Sequence, residues 1–68
     1  MDKQEIGKTL AALRKARGET LSDVAKAVGL TQNAISMYEI GARIPRDPIK
    51  KKLSQHFNVS VEHIFFGD

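Results

Sequence analysis

The sequence predicts an all-α fold, a compact bundle of five short helices, and three observations lead there. Apolar residues recur at helical spacing through most of the 68 residues, and no run alternates with period two long enough to make a convincing strand. Cap-forming residues precede the periodic segments, and Gly or Asn follows most of them. The hydrophobic fraction of 41% and charged fraction of 28% are those of an ordinary globular chain rather than a disordered one.

A chain of this length is expected to form a single domain over residues 1–68. Such a domain buries only about 60% of the surface its unfolded form exposes. It has no cysteine, so disulfides and thiolate metal sites are excluded and packing must carry the fold. Eleven Lys and Arg against eight Asp and Glu leave a charge of +3, which suits a nucleic-acid partner without demanding one. No stretch approaches the ~20 apolar residues of a membrane span. The opening MDKQEIGK lacks the apolar core of a signal peptide. The expected location is therefore the cytoplasm, with no membrane partner.

The first helix opens at a D-x-x-E capping box, Asp2 and Glu5, and stops at Gly18 just after Arg17. Ile6, Leu10 and Leu13 form its buried stripe. Thr20 and Asp23 make a second box, after which Leu21, Val24, Ala25 and Val28 share one face until Gly29. Thr31 caps a third helix that reaches about Ile40 and ends at Gly41. After the turn Ala42 to Arg46, Asp47 is the expected N-cap of a fourth helix, with Pro48 at its first position. Ile49, Leu53, His56 and Phe57 form the inner side of that helix, and Lys50, Lys51 and Lys52 its solvated side. Asn58 can take the left-handed stop, and Ser60 caps a last short helix with Val61, Ile64 and Phe65. Of the adjacent Phe65 and Phe66, one is expected in the core and the other exposed.

The second and third helices are separated only by Gly29-Leu30-Thr31. A turn this tight makes them cross steeply, as a helix-turn-helix does. Ala25 is small enough for the crossing, Gly29 permits a left-handed turn, and Val24, Val28, Leu30, Ile35 and Tyr38 can fill the wedge. On a helical wheel of about 100° per residue, Gln32, Asn33, Ser36, Met37 and Ile40 fall within about 140°. Ala34, Ile35 and Tyr38 occupy the opposite, core-facing arc. The outward face is thus polar but nearly uncharged. Gln and Asn match the N6/N7 edge of adenine, Ser can donate or accept, and Met offers apolar contact to a thymine methyl. Base edges call for such groups, whereas phosphates call for charge.

TLSDVAKAVGLTQNAISMYEIGARIP, followed by FNVSVEHIF, resembles the Cro and phage-repressor (XRE) class of helix-turn-helix DNA-binding domains. The similarity runs from about Ile6 to Phe66. It implies a lambda-repressor-like five-helix bundle and a transcription regulator, bacterial or phage-encoded, acting at the nucleoid as a repressor on double-stranded DNA. By that resemblance Gln32, Asn33, Ser36 and Met37 read bases. Thr20, Lys26, Thr31, Arg43 and the helix N-termini contact phosphates, with the Gly41-to-Arg43 amides as further donors. Arg14 and Glu39 match a family ion pair. Val59, Ile64 and Phe66 lie where relatives dimerise, which implies a homodimer on a palindrome with recognition helices ~34 Å apart. The chain departs from the pattern at Leu21, where many relatives carry a phosphate-binding Gln, and at Ile40 and Lys50.

His56 and His63 have no metal-ligand spacing, and no nucleophile–base or paired-carboxylate arrangement stands out. Neither an enzyme, a metal site nor a cofactor is expected. The rival reading is an adaptor or coactivator on the same scaffold, docking proteins through Met37, Ile40 and Phe66 and binding DNA only weakly.

Overall fold

The computed structural model describes residues 2–67, and in it five helices enclose one apolar core. They are α1 (Lys3–Ala16), α2 (Leu21–Val28), α3 (Gln32–Glu39), α4 (Asp47–Phe57) and α5 (Val61–Phe65). Helix α1 packs on α3 and α5, α2 packs on α3 and α4, and α4 packs on α5. Ile6, Leu10, Val24, Val28, Ile35, Leu53, Phe57, Ile64 and Phe65 fill the centre.

Local chemistry sets the boundaries. Thr20, Thr31 and Ser60 each accept the amide three residues on, and Thr20 and Asp23 complete a reciprocal box. Asp2 accepts from the Glu5 amide at 2.8 Å, but of the expected box only this half forms among the described residues. At the other ends, α1, α2, α3 and α4 close alike. A residue with positive φ (Gly18, Gly29, Gly41 or Asn58) turns the chain, and the next amide returns to the helix. For α3 these bonds run from Gly41 N to Tyr38 O at 3.2 Å and from Ala42 N to Met37 O at 3.0 Å, the Schellman pattern.

The expected N-cap of α4 is corrected by one residue. Arg46 is the cap, because its carbonyl accepts from both Ile49 and Lys50 at 2.9 Å, and Asp47 is already helical. Pro48 therefore sits second, where its missing N–H still costs little. Lys50 also departs from expectation. Unlike exposed Lys51 and Lys52, it is largely covered, and its ammonium lies 5.5 Å from the Phe65 ring centroid and 5.6 Å from that of Phe66. It keeps its charge in reach of Asp47 at 3.5 Å while its stem covers the aromatics.

Candidate nucleic-acid interface

Helix α3 is set by its neighbours before any side chain on its outer face matters. Gly29 has φ 72°, and the Leu30 amide returns to the Ala25 carbonyl at 2.9 Å. The turn is thereby fixed to the helix before it. Ile35 and Tyr38 are buried against α1 and α2, while Ala34 is only half-buried, at the margin of the apolar arc. Gly7 makes the α1 crossing possible. A methyl group there would lie 2.7 Å from the Tyr38 carbonyl oxygen and would also collide with the backbone of Glu39.

The two ends of α3 differ. At its start Gln32 and Asn33 are exposed, with no side-chain partner among the described residues. Thr31 Oγ1 accepts from the Ala34 amide at 3.1 Å, which leaves the hydroxyl proton free to donate. The Gln32 and Asn33 amides belong to the first turn and have no acceptor within the helix. Ser36 and Met37, one turn on, are half-buried.

At the far end Glu39 is clamped. Arg14 Nε and Nη2 reach its two carboxylate oxygens at 2.7 and 3.0 Å, with the two side chains 14% and 11% exposed. Hydrogen bonding to Glu39 is the main cause that raises the Arg14 pKa above its ordinary value, against the opposing effect of burial. Arg14 Nη1 donates to the Glu19 carbonyl at 2.9 Å. Glu19 is in turn met by Arg17 Nε at 3.1 Å and by His56 Nε2 at 2.9 Å. The network joins α1, the α1–α2 turn, α3 and α4.

The sequence reading places His56 on the inner side of α4 but misses its pairing with Glu19, and it misses Gly7. The first two lie 37 positions apart, and nothing local links them. Gly7 did carry a signal, as an isolated glycine inside a helical pattern. A further expectation is corrected. The Gly41, Ala42 and Arg43 amides do not point at a ligand, because Tyr38 and Met37 carbonyls accept them, the last weakly at 3.4 Å. The Arg43 side chain is exposed and unpaired among the described residues. Thr20 is exposed at the start of α2, its hydroxyl likewise bonded only as an acceptor. Lys26 is exposed on another side, lining an open groove between α2 and α4 with Lys52, Gln55 and His56.

Of the expected dimer contacts, Phe66 is exposed, Val59 is half-buried, and Ile64 is corrected outright. Ile64 has 0% exposure and belongs to the core between α4, α5 and α1, so it offers a partner no surface. Among the described residues no group of His, Asp and Glu is placed to hold a metal, and no helix is long and apolar enough to cross a membrane.

A helix-turn-helix family model matches residues 10–64. The chain belongs to the XRE-type helix-turn-helix family. It is 36% identical over 63 residues to the antitoxin PezA of Streptococcus pneumoniae, a match that covers 93% of this chain and 40% of that relative. The chain therefore spans less than half of the curated relative it matches. Among solved structures, it is similar to the restriction-modification controller protein C.AhdI of Aeromonas hydrophila. That match has a TM-score of 0.85 at 24% identity and covers 91% of this chain and 94% of the other. It is also similar to the clp gene regulator ClgR of Corynebacterium glutamicum, with a TM-score of 0.86 at 20% identity, covering 94% and 68%. At such identities these structures establish the helix-turn-helix fold. Within that fold α2 and α3 are the paired helices, and the chain is a helix-turn-helix DNA-binding domain.

Proposed function

We propose that this helix-turn-helix domain, a single domain over residues 1–68, is a sequence-specific transcription regulator acting as a repressor at the nucleoid of a bacterial cytoplasm. It reads one operator half-site in the major groove through Gln32, Asn33, Ser36 and Met37. The observation that carries this reading is the bare start of α3, where Gln32 and Asn33 stand exposed on a helix whose other side is fixed in the core. Thr20 and Thr31 donate their free hydroxyl protons to phosphates beside the first-turn amides, and Arg43 supplies charge on the following turn. Lys26 extends the positive surface along the groove between α2 and α4. Two copies, meeting through Phe66 and Val59, engage a palindrome.

Selection from a randomised duplex pool, followed by anisotropy titration across salt, tests this. The expected result is one preferred half-site, doubled with two-fold symmetry, and an affinity that falls linearly in log–log form with salt. Gln32→Ala with Asn33→Ala should flatten the preference, each lost bidentate contact costing about 1–3 kcal/mol. Weak binding indifferent to sequence would overturn the reading. It would favour the adaptor reading, which the exposed Ile40, Ile44 and Phe66 support.

A further inference from the structure

Ile40 is 64% exposed, the most exposed of the large apolar side chains among the described residues. It caps α3 with φ −85° and ψ 0°, so it continues the helical path rather than leaving it. Gln32, Ser36 and Ile40 stand four residues apart and form one stripe down the outward face. The turn that follows gives DNA no backbone donors, since its amides close the Schellman motif on Met37 and Tyr38. The last group that α3 presents along this stripe is thus a branched hydrocarbon. The major groove has one apolar feature to meet it, the 5-methyl of thymine.

We propose that Ile40 is a specificity-determining residue that packs on a thymine methyl at the edge of the half-site. The proposal rests on the base-reading role of α3. At about 1.5 Å per residue Ile40 lies ~12 Å along the axis from Gln32. With base pairs ~3.4 Å apart, its thymine falls no more than about three to four base pairs from the base that Gln32 reads. Ile44 and Phe66 stand off this stripe, on the following turn and after α5, so the same contact does not extend to them.

The test is a methyl-deletion cycle on the selected duplex. Each thymine is replaced in turn by deoxyuridine, which keeps every hydrogen-bonding group, and binding is measured for the unaltered protein, Ile40→Val and Ile40→Ala. One thymine should weaken the unaltered protein about fourfold when its methyl is removed, the worth of one buried methylene-sized group. That loss should persist in Ile40→Val and vanish in Ile40→Ala, with the preference at the Gln32 end unchanged. Equal thermal midpoints for the variants would confirm that folding is not what changed. If the deoxyuridine profile of Ile40→Ala matches that of the unaltered protein at every thymine, the proposal is overturned while base reading by Gln32 and Asn33 survives. If the unaltered protein selects no site, base reading fails and this proposal fails with it.

Discussion

The two ends of α3 obey opposite rules. At its start, Thr31 to Asn33, the one side-chain bond among the described residues is the Thr31 cap, and all three side chains are exposed. At its end Tyr38 and Gly41 are buried, Glu39 is clamped by Arg14, Gly7 crosses closely and the Schellman turn closes the helix, with Ile40 alone standing out on the outward stripe. Rigidity is supplied by the inward side of the far end, so Gln32 and Asn33, the proposed readers, can stay unpartnered without losing their aim. The contrast predicts that substitutions at the inward clamp, Gly7, Arg14 and Glu39, act on stability and those at the start of α3 act on binding.

Glu39→Ala should have the largest effect. It leaves Arg14 charged and mostly covered, with only the Glu19 carbonyl as partner among the described residues. Breaking a buried pair from one side costs about 3–5 kcal/mol, and the residual exposure here reduces that to about 2–4 kcal/mol. Urea unfolding would read the loss as a lowered midpoint. A smaller loss in the double change Arg14→Met/Glu39→Leu than in Glu39→Ala would place most of the cost in the orphaned charge. Gly7→Ala follows, because the colliding atoms are backbone and cannot rotate away. Forcing α1 off α3 should cost about 1–3 kcal/mol, whereas the same substitution at a solvent-facing helical position should stabilise.

Next is Thr31→Ala, which removes the cap at the free end and should cost about 1 kcal/mol. It should also weaken DNA binding, whereas Glu39→Ala should leave affinity intact wherever the domain remains folded. Below these lies a pH effect on α2. The Thr20 backbone amide, donating to the Asp23 carboxylate at 2.8 Å, is the main cause that holds it below the ordinary aspartate range. A depressed native pKa means that the stabilisation is present above the unfolded value of about 3.9 and is withdrawn as pH falls through the native one. The thermal midpoint of Asp23→Asn should trail the unaltered protein at neutral pH, and the gap should close on acidification. A constant gap would show that the hydrogen bond does not depend on the carboxylate charge.

What was legible in the sequence divides along the same line. Gly18, Gly29, Gly41 and Asn58 act within one turn of chain, so their roles as left-handed stops could be read directly, and all four have positive φ. The exposed start of α3 was legible because helical periodicity alone puts Gln32 and Asn33 opposite Ile35 and Tyr38. Side chains whose partners are distant in sequence were not. Glu19 meets His56 only after α4 has folded back along α2, and Lys50 finds the Phe65 ring only once α5 has docked. The turn amides were misassigned for a different reason. Gly41 marked the Schellman turn correctly, but that motif uses its own N–H groups, and a sequence motif does not say which carbonyls will claim them.

Gln32→Ala should have the smallest effect on stability and is the sharpest test of the contrast. Gln32 is exposed and caps nothing, so its loss should move the unfolding free energy by no more than about 0.5 kcal/mol, the range of a neutral surface change. The same variant should lose about 1–3 kcal/mol against its preferred duplex and little against random duplex. Paired with Glu39→Ala it makes a double dissociation, with one variant failing in urea and the other on DNA. Coupling between them would mean that the clamp tunes the aim of α3, and it would appear as a Gln32→Ala binding penalty that shrinks when Glu39 is also removed. Residues at the two ends of α3 share no partner among the described contacts, so the penalties should add.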